Sequence, residues 1–301
     1  MNKKIRITIA ALLIVAIAVL LFFTTRQSPQ VSQAKLKVTA TYYPLEEFAK
    51  AVGGSKVTVT NITPAGSEPH EYEPTPKQLI AAGQSKLFIY NGAHLEPWAN
   101  NFLKDYKGVA IKASQGIALK TISSNTKDPH FWLDPILAER VIDNILHTYI
   151  KIQPENAQYF RVQADHYKAQ LRQLDSSYKS GLAYCQQNTI VTSHAAFGYV
   201  ATRYGFSVES IAGLSPEEEP SPAKLAQLSQ LVKEKNIHYI FFESLVSPRL
   251  ADTIARETGA QTTVFDPIEG VSREDQRKGR TYLTIQRDNL KALQRALACQ
   301  Q

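Results

Sequence analysis

Cysteine is nearly missing from this 301-residue chain: there are two, Cys185 and Cys299, and neither lies near the N-terminus. That excludes a lipid anchor carried on an N-terminal cysteine. Acidic groups are absent from residues 1–26, which hold four basic ones, so most of the formal net charge of +7 sits there. The remainder carries 30 basic against 27 acidic groups, a net +3, with no basic stripe, and this argues against a nucleic-acid partner. No H-E-x-x-H pair and no Gly-x-Ser-x-Gly elbow occurs, which removes the signatures of zinc proteases and of α/β-hydrolases. Internal repeats and low-complexity tracts are lacking as well.

At the N-terminus, Lys3, Lys4 and Arg6 precede an uncharged run over 7–23, closed by Thr24, Thr25 and Arg26. Residues 1–34 are therefore expected to be a signal peptide or a membrane anchor. The apolar run falls between the length of a signal core and that of a full span. Ser32-Gln33-Ala34 is the best small-x-small cleavage pattern. The body is expected to be exported, to the periplasm or the outer face of the cytoplasmic membrane. In an oxidising compartment an even pair of cysteines favours a Cys185–Cys299 disulfide, with two buried thiols as the alternative. It would tie the last helix to the start of the second lobe.

With 44% hydrophobic residues the chain can bury a large core. Short β-branched runs alternate with amphipathic stretches, which predicts α/β architecture with mostly parallel sheets flanked by helices. Strands are expected at 36–40, 57–62, 86–90 and 109–112, with helices at 45–52, 76–82, 97–106 and 135–150. A second set of strands follows at 189–192, 207–211, 239–242 and 262–265. Ser221-Pro222 and Ser247-Pro248 each place a serine before a proline, the pattern of a helix cap, and Gly259 is a terminator. Between them, 154–184 runs without Gly or Pro from 155 to 180 and predicts one long rigid helix. The expected organisation is an N-terminal lobe at 35–153, a linking helix at 154–184 and a C-terminal lobe at 185–301. A rigid link implies restricted motion between the lobes.

The stretch Asp128-Pro129-His130-Phe131-Trp132-Leu133-Asp134-Pro135 sets a histidine beside two aromatic rings, between two Asp-Pro pairs. Proline pushes the residue before it out of the helical region, so His130 lies in a short, stiff segment just before a helix capped by Asp134. Ligands of open α/β sheets bind beyond the carboxyl ends of strands. There the sequence places His70, His130, His194 and, after the last strand, Asp266 and Glu269. Three imidazoles and a carboxylate, two donors from each lobe, make a tetrahedral set for a divalent metal. The spacings of 60, 64 and 75 match no local metal motif, so the signal lies in the combination. Glu243, at a strand tip, is placed to hydrogen-bond a ligand imidazole. His147, His166 and His238 read as structural or exposed, His94 stays outside the ligand set, and Glu217 to Glu219 read as a solvated loop.

The loop 66–76, the stretch around His130, Ser193-His194-Ala195-Ala196-Phe197-Gly198-Tyr199 and Asp266-Pro267-Ile268-Glu269 resemble the metal-binding receptors of ABC transporters for zinc and manganese. The resemblance runs from about Val38 to Leu297. It implies two α/β lobes, one buried metal ion, and delivery to a permease driven by a cytoplasmic ATPase. Carried over position by position, His70, His130 and His194 match the histidine ligands and Glu269 the carboxylate of zinc-type members, with Asp266 the alternative. Imidazole-rich sites favour zinc over manganese. The chain departs from some zinc receptors in lacking a histidine-rich loop before His130. A zinc receptor, working as a monomer and without enzymatic turnover, is the leading expectation. A manganese receptor and an exported zinc-dependent hydrolase are the alternatives, and a surface adhesin role is a third possibility that nothing in the sequence requires.

Overall fold

The structure is a computed structural model that describes residue 2 and residues 34–123 and 126–300. The apolar run 7–23 lies outside the described residues. Among those described, no helix is long and apolar enough to cross a membrane.

The described residues from Lys35 onward form one compact unit built on two four-stranded parallel sheets. The first has the order β2-β1-β3-β4, from strands β1 (Leu36–Ala40), β2 (Val57–Asn61), β3 (Leu87–Tyr90) and β4 (Val109–Lys112). In the second the order is β10-β9-β7-β8, from β7 (Thr189–Thr192), β8 (Ser207–Ser210), β9 (Tyr239–Phe242) and β10 (Gln261–Val264). Strands covered on both faces read as apolar runs rather than alternations, as in Leu87-Phe88-Ile89 of β3. Each sheet reverses its strand order beside its first strand, and these switch points open the crevices in which such sheets hold ligands.

Helices α1 (Tyr43–Gly53), α2 (Pro76–Gly83), α3 (Ala99–Asp105) and α4 (Pro135–Ile152) belong to the first half. Two of these starts follow from side chains that satisfy exposed N–H groups: Thr75 and Gln78 form a capping box at α2, and Asp134 accepts from Ile136 and Leu137 N–H at α4, whereas α1 and α3 have no side-chain cap. A single turn of 3-10 helix at Pro154–Asn156 then leads into α5 (Ala157–Gly181), the long helix. It starts three residues after the expected start at 154, because Pro154 heads the separate turn. Its buried face, Phe160, Ala164, Tyr167, Leu171, Leu174 and Tyr178, keeps the three-and-four spacing of an amphipathic helix. That face packs on α1, on α4 and on the last helix.

In the second half follow α6 (Gly198–Tyr204), α7 (Pro222–Glu234), α8 (Arg249–Thr258), α9 (Arg273–Arg277) and α10 (Tyr282–Ala296). Ser221 caps α7 as expected, and Gly259 ends α8 in the left-handed conformation. Ser247 does not cap α8. That helix begins at Arg249 with Pro248 in the cap position and no side-chain cap. A short hairpin, β5 (Thr121–Ser123) and β6 (Thr126–Lys127), intervenes between β4 and the His130 segment, where no strand was expected.

One hydrophobic core links both sheets: Val38 and Leu87 of the first, Ile190 and Phe241 of the second, and Phe131, Trp132 and Leu293 belong to the same buried cluster. Cys185 and Cys299 are joined in a disulfide that closes the end of α10 onto the segment before β7.

Candidate metal centre

His194 follows β7 and Glu243 follows β9, and these two strands are neighbours with Val191 paired to Ile240. Extending that register past the strand ends sets residue 194 beside residue 243. The Glu243 carboxylate accordingly meets His194 Nδ1 at 2.5 Å. His130 gets its partner locally. The Asp128 carboxylate oxygen Oδ1 accepts both the His130 backbone N–H at 2.9 Å and its Nδ1–H at 2.8 Å. With Nδ1–H donated to a carboxylate, each ring keeps the Nε2 lone pair free for a metal.

The Nε2 atoms converge. His130 Nε2 lies 3.2 Å from His70 Nε2 and 3.3 Å from His194 Nε2. Glu269 Oε1 completes the figure, 3.1 Å from His70 Nε2, 3.1 Å from His130 Nε2 and 3.3 Å from His194 Nε2. A tetrahedral ion with bonds of ~2.0–2.1 Å needs donor-to-donor edges of about 3.3–3.4 Å, and these five edges of 3.1–3.3 Å come close to those of a zinc-sized cage. Among the described residues, His70, His130, His194 and Glu269 are the group of histidine and carboxylate side chains able to hold a metal ion. His130 and His194 are fully buried and Glu269 is 2% exposed, leaving His70 at 9% as the corner nearest solvent. His70 sits in the loop after β2, where its backbone N–H donates to Glu68 Oε2 at 2.9 Å.

The electrostatics follow from carboxylates packed among imidazoles. Burial alone lowers the basicity of a ring. In His130 the hydrogen bonds to Asp128 and Glu269 outweigh it, and the imidazole is held above its ordinary value. In His194 burial is outweighed by the charges of Glu243 and Glu269, and the ring lies well above it. His70 has Glu269 but no second carboxylate of this kind, and burial wins, so its value is lowered. Burial would raise Glu269, yet His194 and His70 hold its carboxyl well below the usual range. Burial of part of the Glu68 side chain and the neighbouring Glu269 charge push its carboxyl up to about 9.

Asp266 lies at the same strand end but turns away. Its Oδ1 accepts the Ile268 N–H at 2.7 Å and its Oδ2 accepts from the Ser244 hydroxyl, which leaves it engaged in shaping the loop. His94 is exposed on the loop after β3 and outside the cluster. Two residues escaped the sequence reading. Asp128 was legible as an Asp-Pro turn, and the Asp-x-His spacing, which lets an aspartate accept from the residue two ahead, is the signal that could have marked it. Glu68 carries no such signal, because its place beside Glu269 depends on how two distant loops meet.

Loops from both sheets that bring three imidazoles and a carboxylate to one point define the class of metal-binding solute receptors. The chain belongs to the ZnuA family, zinc-uptake complex component A, periplasmic, whose profile matches residues 38–296. It is 38% identical over 291 residues to the high-affinity zinc uptake system protein ZnuA of Bacillus subtilis, covering 91% of each chain. Identity to the zinc-binding lipoprotein AdcA of Streptococcus pneumoniae is 35% over 308 residues, covering 97% of this chain but 60% of that relative. Among solved structures, the Zn(II)-bound ZnuA-like domain of Streptococcus pneumoniae AdcA superposes with a TM-score of 0.79 at 37% identity, over 88% of this chain and 99% of that one.

Proposed function

We propose that the chain is an extracytoplasmic receptor that captures one zinc ion and delivers it to an ABC permease driven by a cytoplasmic ATPase. The observation that carries this reading is the convergence of His70, His130, His194 and Glu269 on one buried point at tetrahedral spacing. The ion is held between an N-terminal lobe of residues 35–153 and a C-terminal lobe of residues 185–301, joined by 154–184. His70 and His130 come from the first and His194 and Glu269 from the second. All four donors belong to one chain, so a monomer suffices to hold the ion. Residues 1–34 direct it out of the cytoplasm and, where uncleaved, hold it at the membrane.

Three neutral imidazoles and one carboxylate suit zinc better than manganese, which prefers harder oxygen donors. A hydrolase would need a coordination position open to water and a base to activate it. Here four protein donors fill the tetrahedron, and Glu243, a candidate base, is hydrogen-bonded to His194 Nδ1. The site therefore binds without turnover. The names of the relatives, a zinc uptake protein and a Zn(II)-bound domain, support the same reading.

Metal content and competitive affinity, compared between the wild-type chain and His194→Ala, test it. The expected result is one tightly bound zinc per chain, a large loss in the variant, and much weaker manganese binding. Even competition by manganese, or wild-type affinity in the variant, would refute the assignment. Hydrolysis of peptide or ester probes by the zinc-loaded chain would overturn binding without turnover.

A further inference from the structure

The aromatic segment that carries His130 also reaches the turn that carries Glu269. Trp132 is fully buried and donates its indole Nε1–H to the Pro267 carbonyl at 2.8 Å. The next residue, Ile268, has a φ of 57°, in the left-handed region where a β-branched side chain is strained. Such a conformation persists only where its surroundings impose it, and here they do. Asp266 Oδ1 accepts the Ile268 N–H at 2.7 Å. Asn289 of α10 clamps Asp266 in turn, accepting its N–H at 2.9 Å and donating to its carbonyl at 2.7 Å. Trp132 is itself fixed, because its carbonyl accepts from the Tyr282 hydroxyl at 2.5 Å and the neighbouring Leu133 carbonyl accepts from Gln286 Nε2 at 3.1 Å.

We propose that Trp132 is a positioning residue for the carboxylate corner of the metal site. Its N–H on the Pro267 carbonyl holds the strained turn, and the turn aims Glu269 at the three imidazoles before an ion arrives. One segment, 128–134, thus supplies the His130 ligand directly and the Glu269 ligand through Trp132. A carboxylate on a relaxed loop would have to be ordered on binding, at a cost in affinity that pre-organisation avoids. This inference rests on the receptor reading given above.

The test is a double-mutant cycle on the full chain, reading zinc affinity by chelator competition for wild type, Trp132→Phe, Glu269→Ala and the pair. Phenylalanine keeps an aromatic ring in the core and removes the N–H. Trp132→Phe is expected to weaken zinc about 10- to 100-fold, the usual range for an outer partner of a ligand, and to add almost nothing in the Glu269→Ala background. Cobalt bound to Trp132→Phe should lose the intense visible absorption of a tetrahedral site, which a general loss of stability would not cause. If Trp132→Phe fails to fold, Asn289→Ala, which releases the same turn from its other side, carries the same expectations. Additive losses in the cycle, or wild-type affinity in Trp132→Phe while Glu269→Ala is weakened, would overturn the inference and leave the receptor reading standing. A wild-type chain that binds no zinc would sink both.

Discussion

Asp128 Oδ1 binds His130 twice, through the backbone N–H at 2.9 Å and through Nδ1–H at 2.8 Å. One carboxylate oxygen thereby sets the backbone turn, the ring orientation and the tautomer of a buried imidazole. Replacing it should cost metal affinity rather than the fold. Asp128→Ala is expected to weaken zinc binding by about 10- to 100-fold. Chelator competition measures this, and thermal unfolding of the metal-free protein checks that the fold persists.

Gly198 offers an independent probe of the same contact. A Cβ built there would stand 3.1 Å from Asp128 Oδ2, tighter than ordinary van der Waals contact. Alanine normally favours a helix over glycine by about 0.5–1 kcal/mol. At this position the methyl group can be accommodated only if Asp128 moves, and Asp128 holds His130. Gly198→Ala should therefore weaken zinc several-fold with little change in the unfolding midpoint. Unchanged zinc affinity in the variant would show that Asp128 has room to give.

Much of this was legible in the sequence, and for identifiable reasons. His70, His130, His194 and the pair Asp266 and Glu269 were marked by a general property of parallel sheets, that ligand-binding residues follow strand ends, and the choice of Glu269 over Asp266 came from the resemblance to zinc-type receptors. The Asp134 and Ser221 caps were legible because a cap is a local matter of one side chain and the N–H groups just ahead. Ser247 misled for the complementary reason: the Ser-Pro pair permits a cap, but the chain places Pro248 itself in that position. The hairpin β5–β6 escaped because its strands are very short and mostly polar, with no apolar alternation to read. The Trp132–Pro267 contact spans 135 positions and is a product of packing alone.

Protons should compete with the ion. Both His130 and His194 are held above the ordinary imidazole value in the metal-free site, and only a neutral ring can coordinate. Lowering the pH adds protons to the empty site that the loaded site cannot hold, so affinity must fall with falling pH. Because these two values are raised, the decline should begin above the free-imidazole value of about 6.5. Zinc affinity measured between pH 8 and 5, with proton release followed by calorimetry in buffers of different ionisation enthalpy, checks both the sign and the onset. Affinity independent of pH across that window would contradict the imidazole ligand set.

The disulfide should act on stability and not on the site. Cys185 and Cys299 close a loop with a sequence separation of 114. A loop of that length is worth about 4–5 kcal/mol in the chain-entropy treatment, with measured losses typically about 2–5 kcal/mol. The double serine variant is expected to lose stability within that range in denaturant unfolding, while its zinc affinity at moderate temperature stays that of the wild type.

The coordination shell itself is the most direct test of the account. X-ray absorption at the zinc K-edge of the loaded chain should show four light donors at ~2.0–2.1 Å, with multiple scattering from three imidazoles. In Glu269→Ala the imidazole signal should remain and the oxygen contribution change. Fewer than three imidazoles, or a shell of five or six oxygen donors, would contradict the site of His70, His130, His194 and Glu269.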